Sequence, residues 1–108
     1  MRLKSEQVDV FIRVLDSYVN GSGSQLYLYG SRSQDHLKGG DIDILLIVSE
    51  EKLLKQIQNL KIKILTLFKK ELGERRIDFL ISSHDRLTRD PFLNEALKTA
   101  ILLKEWQK

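Results

Sequence analysis

From Ser5 to Asn20 the apolar residues Val8, Phe11, Ile12, Leu15 and Val19 recur at spacings of three and four. That period predicts a helix with one buried face, capped by Ser5 and stopped at Asn20-Gly21. Gly21-Ser22-Gly23-Ser24 breaks the pattern as a loop, and Gln25 to Tyr29 reads as a short strand ending at Gly30-Ser31. Ser31 to Lys38 is polar, with room for one helical turn before Gly39-Gly40. The run Ile42, Ile44, Leu45, Leu46, Ile47 and Val48 is almost continuously apolar, which predicts a central strand buried on both faces. Ser49 is placed to cap one long helix whose stripe runs from Leu53 through Ile57, Ile64 and Phe68 to Leu72, with Gly73 as its stop. Arg75 to Ser82 predicts a third strand, and Asp90-Pro91 opens a last helix through Leu93, Ala96, Leu97, Ala100 and Ile101.

The predicted order is αβ(α)βαβα, an α/β or α+β chain with a small mixed sheet of three strands or slightly more, flanked by helices. The short link between the first two strands suits antiparallel pairing, whereas the helix before the third suits a parallel crossover. At 108 residues the expectation is one domain spanning residues 1–108 around one core.

Composition narrows the class. There is no cysteine, so disulfide frameworks, thiolate metal sites and cysteine nucleophiles are excluded. No apolar run approaches the roughly 18 residues of a membrane span and no signal-peptide pattern opens the sequence, so a cytoplasmic location is expected. The net charge of +3 is unevenly placed. Residues 50–76 hold eight Lys or Arg against four Asp or Glu, while residues 1–49 sum to −1 and residues 77–108 to zero. A helix dotted with solvated lysines accounts for that excess, and nucleic acid is not the expected partner.

Candidate chemistry lies where the pattern is least economical. Asp41 and Asp43 alternate onto the same face of the most apolar strand. Two carboxylates about 6 Å apart repel by roughly 3 kcal/mol at an effective dielectric near 20. An Asp-x-Asp pair can be a solvated strand start; a divalent cation, magnesium by preference, is the alternative that removes the repulsion. The preceding strand ends in Gly30-Ser31-Arg32, where glycine permits close approach of a phosphate, a hydroxyl can donate to it and a guanidinium adds charge. Asp78 sits within the apolar run Ile77 to Ile81, where a carboxylate should be metal-bound, at an edge or paired with Arg75 or Arg76. Were the second and third strands neighbours in register, Asp78 would join Asp41 and Asp43.

Together, Tyr29-Gly30-Ser31-Arg32, Gly40-Asp41-Ile42-Asp43-Ile44 and Arg76-Ile77-Asp78-Phe79 resemble the minimal nucleotidyltransferase (MNT) group of the DNA polymerase beta nucleotidyltransferase superfamily. The resemblance covers roughly residues 5–100. It implies that Gly30 and Ser31, with Arg32 beside them, hold a nucleoside triphosphate such as ATP, and that Asp41 and Asp43 bind one or two magnesium ions. Asp78 would bind metal or activate an acceptor hydroxyl. Ser33-Gln34-Asp35 stands where many members carry a second arginine and a glycine, and Gly40 where serine usually precedes the first acid.

The resemblance also implies a partner. MNT proteins of this size commonly accompany a HEPN protein in a toxin–antitoxin pair, the MNT protein transferring AMP to a tyrosine of the toxin. About 26 residues follow the predicted last strand, enough for one helix and no acceptor-binding domain. Ala100 to Leu103 with Trp106, and Val10, Val14, Ile62 and Leu67, lie off the main apolar stripes and suggest a partner surface. A homo-oligomer and a hetero-oligomer both fit. A catalytically silent protein that neutralises a partner or senses nucleotide is the main alternative, and transfer to a small molecule such as an aminoglycoside a third.

Overall fold

The computed structural model describes residues 3–29, 42–73 and 75–108. Its elements run α1 (Ser5–Val19), β1 (Gln25–Leu28), β2 (Ile42–Val48), α2 (Glu51–Asn59), α3 (Lys61–Leu72), β3 (Ile77–Ser83), α4 (His84–Leu87), α5 (Pro91–Thr99) and β4 (Ile101–Glu105). The four strands form one mixed sheet in the order β3-β2-β1-β4. β1 pairs antiparallel with both β2 and β4, and β2 pairs parallel with β3. The short and long connections thus act as their lengths require: the first folds back antiparallel, and the helical crossover returns the chain parallel.

Period-two alternation sorts the sheet's side chains onto two faces. Leu26, Leu28, Ile42, Ile44, Leu46, Ile77 and Phe79 turn to one face and pack with α1, α2 and α3 in the main core. Phe68 of α3 sits at its centre, edge-on to Phe11 of α1 at 4.8 Å and to Phe79 of β3 at 5.6 Å between ring centroids. The opposite face carries Tyr27, Tyr29, Leu45, Ile47 and Leu80 under α5, anchored by buried Leu93. Two covered faces explain why β2 is so nearly continuously apolar.

Several local expectations change. The expected long helix breaks at Leu60, whose N–H is shared between the Gln56 and Ile57 carbonyls in a tightened turn before α3 restarts. The break lets α2 follow β2 and β3 while α3 packs against α1. Ser5 is the first helical residue rather than the cap: the Gln7 side chain accepts from the Lys4 N–H at 2.9 Å instead. Glu50, not Ser49, occupies the cap of α2 and makes no side-chain cap bond. Gly73 ends α3 as expected, at φ +87° and ψ −166°, a conformation essentially reserved for glycine. Asp90 caps α5 as expected, accepting from the N–H groups of Phe92 and Leu93 at 3.0 and 3.3 Å behind Pro91. The helical turn expected within Ser31 to Lys38 lies outside the described residues.

The largest correction concerns residues 100–106. The last helix ends at Thr99, Ala100 turns to extended backbone, and Ile101–Glu105 becomes the fourth strand. Ile101 and Leu103 pack on the main core, and Trp106 is buried there, its indole N–H donating to Asp16 at 3.0 Å. Of the residues expected on a partner surface, Val10 and Val14 are buried and Leu67 packs partly against the core, so only Ile62, 81% exposed, and Leu102, 50% exposed, stay outside. The lysines of α2 and α3 are mostly exposed, in keeping with a solvated basic face.

Candidate functional site

The register of the parallel pair sets the site. Ile42 lies across from Ile77, Asp43 from Asp78 and Ile44 from Phe79. Neighbouring strands are about 4.8 Å apart, and both acids alternate away from the main core, so two carboxylates stand side by side near the start of β2 and β3. Asp43 is half-buried and Asp78 exposed. The Ile42 N–H donates to the Arg76 carbonyl at 2.9 Å, extending the pairing just ahead of the acids. Asp41, Gly30, Ser31 and Arg32, the other residues expected at the site, lie outside the described residues.

Tyr29 ties the end of β1 to this pair. Its backbone N–H donates to the Asp43 carbonyl at 3.0 Å, and its ring is buried with the second cluster. Burial, together with the negative charges of Asp43 and Asp78, pushes its phenol up to about 12. The hydroxyl therefore stays protonated well into the alkaline range. Phe92, at the start of α5, meets the Tyr29 ring edge-on with centroids 6.5 Å apart and keeps 59% of its surface exposed. Neither aromatic carries a role in the sequence pattern. Tyr29 was legible as part of the Gly-Ser element, but no periodicity marks Phe92, whose one signal is an aromatic directly after the helix-opening proline.

The donor set suits a hard divalent cation, since carboxylate oxygens are the ligands magnesium takes. Among the described residues no group of three or more His, Cys, Asp or Glu is placed to hold a metal; Asp43 and Asp78 make a pair. No ion pair of Asp78 with Arg75 or Arg76 is found among the described residues. Neither Asp43 nor Asp78 lines either of two depressions in the surface. One of about 520 Å³ separates α1 from α3 beside the Arg13–Glu71 ion pair, and one of about 400 Å³ is bounded by Arg86, Arg89, Asp90 and Pro91.

Comparison with known proteins bears on this geometry. Residues 8–105 match the protein-family model described as nucleotidyltransferase domain. No curated protein is significantly similar to the chain. Among solved structures, one described as a crystal structure of a toxin–antitoxin with AMP-PNP is similar over 94% of this chain and 73% of its own, at 18% identity and a TM-score of 0.55. A 1.40 Å crystal structure from Sulfolobus solfataricus, of a protein described provisionally as a nucleotidyltransferase, aligns over 94% of this chain and 89% of its own, at 18% identity and a TM-score of 0.43.

Proposed function

The chain belongs to the nucleotidyltransferase domain family, and from that premise we propose that it transfers a nucleoside monophosphate, AMP from ATP, to a hydroxyl acceptor, a tyrosine of a HEPN-type toxin that it thereby silences as antitoxin. The observation that carries the reading is the in-register placement of Asp43 and Asp78 on one sheet face, next to the strand end that leads into Gly30-Ser31. A toxin–antitoxin structure with AMP-PNP among the fold's neighbours supports both the nucleotide and the partner.

In this reading Gly30, Ser31 and Arg32 grip the triphosphate, and Asp41, Asp43 and Asp78 supply the oxygen ligands for magnesium. Magnesium, when bound, offsets the charge of the triphosphate and of the departing pyrophosphate. The acceptor oxygen forms a bond to the α-phosphorus as the bond from that phosphorus to the pyrophosphate oxygen breaks. Asp78, the exposed acid of the pair, is open to an incoming acceptor and can take the hydroxyl proton, a role usually worth about 10²–10⁴ in rate. Half-buried Asp43 is the more fixed of the two and suits a ligand role.

The test is incubation with magnesium, ATP labelled at the α-phosphate and the protein encoded beside this gene. Label should move to the partner with the wild type and not with Asp41→Asn, Asp43→Asn or Asp78→Asn. Neutralisation of the partner that survives all three substitutions would sink the catalytic account and leave a binding protein in its place.

A further inference from the structure

Phe92 is the one exposed large aromatic among the described residues, and its backbone is held in place. Pro91 opens α5, Asp90 accepts from the Phe92 N–H, and the next residue, Leu93, is buried, so the backbone under Phe92 is held from both sides. Its ring stands at 90° to that of Tyr29 with centroids 6.5 Å apart and stays more than half exposed. Tyr29 in turn lies close enough to Asp43 and Asp78 to feel both charges, and is the residue immediately before Gly30-Ser31. An ordered aromatic face thus stands on the α5 side of the sheet, one ring removed from the acids. Packing alone does not require it, because most of the Phe92 side chain covers nothing.

We propose that the Phe92 ring is the surface on which the base of the nucleotide stacks, a reading that rests on the proposed nucleotidyl transfer and adds the base subsite to it. A triphosphate gripped beyond Tyr29 has its ribose and base to place, and the rigid face of Phe92 is the nearest exposed π surface among the described residues. Stacking accepts any base, since every base has a π face, so this contact adds affinity without choosing sharply among nucleotides. The partner protein is not needed for it.

The experiment measures equilibrium binding of magnesium-ATP and of magnesium-tripolyphosphate, which has no base, to the full chain without partner. Phe92→Ala should weaken ATP binding by roughly 5- to 150-fold, the usual range for one base on one aromatic ring, and leave tripolyphosphate unchanged. Phe92→Trp should restore ATP binding, whereas Phe92→Leu, which keeps an apolar contact on Tyr29 without a π face, should not. Equal loss for both ligands, or no loss for either, overturns the proposal. So does unchanged ATP binding with a raised KM for the partner, which would give the ring to the acceptor instead. Asp43→Asn serves as the parallel control: if it binds both ligands as the wild type does, the metal and triphosphate reading fails independently of Phe92.

Discussion

Replacing Asp78 with asparagine should make the protein more stable while disabling it. Asp43 and Asp78 are direct partners across a parallel pair, and asparagine removes one charge at nearly constant shape. Full Coulomb repulsion for charges about 5 Å apart, the spacing of neighbouring strands, at an effective dielectric near 20 is roughly 3 kcal/mol. Asp78 is exposed, however, so solvent screens most of it, and the range for cross-strand side-chain pairs, about 0.2–1 kcal/mol, taken with its sign reversed for like charges, is the better guide. A gain of about 0.2–1 kcal/mol corresponds to a Tm rise of about 1–8 °C at this size. The assay is thermal unfolding in magnesium-free, low-salt buffer, repeated at 1 M salt, where a Debye length of about 3 Å should erase most of the gain. The same variant should lower the Tyr29 phenol from its value of about 12 without returning it to normal, because burial, the larger cause, remains. A variant that melts at or below the wild type in low salt refutes the reasoning: the two acids would then not be opposed in the native state.

Three further outcomes follow from packing and titration. Phe68→Ala removes the ring that joins Phe11 and Phe79 at the centre of the main core and should cost about 3–5 kcal/mol by urea unfolding; a loss under 2 would mean that the helices close over the gap. Gly73→Ala meets no atom within 4 Å, so its cost is backbone strain alone, about 1–3 kcal/mol, and an unchanged urea midpoint would show that α3 can end another way. Glu51 accepts from the Ser83 hydroxyl at 2.6 Å and from Arg86, and these bonds, Ser83 first, hold its carboxyl below the ordinary value of 4.5. A depressed carboxyl contributes stability above its unfolded value and loses it as pH falls through the lower folded value, so Glu51→Gln should flatten the decline in stability below about pH 4.5; a slope identical to the wild type would contradict the pairing.

What could be read in advance follows from how local each signal is. β2 is legible because an apolar run covered on both faces needs no knowledge of its neighbours, and α1 because its period is complete within itself. The two caps read correctly, Asp90 and Gly73, have their chemistry next to the helix ends they serve. Asp78 was legible as an odd residue, but its position opposite Asp43 depended on a register that only the folded sheet fixes. β4 is not legible in the sequence because Ile101-Leu102-Leu103 continues α5 without a proline or glycine between them. What selects strand there is the open edge of β1, a tertiary fact. The break at Leu60 is similar: the stripe from Ile57 to Ile64 is compatible with one straight helix, and the turn is imposed by what α2 and α3 pack against.

The pairing of β1 with β4 places Gln25 across from Glu105, so the sheet joins stretches of chain synthesised far apart. Loop closure over that separation comes late and slowly compared with the local helices. On the ribosome, β1 therefore waits with an open hydrogen-bonding edge until residue 105 has emerged, and during that interval the edge can pair with another nascent chain. Substitutions in β4 should consequently show their effect in soluble yield during synthesis before they show it in the melting temperature of whatever protein is recovered.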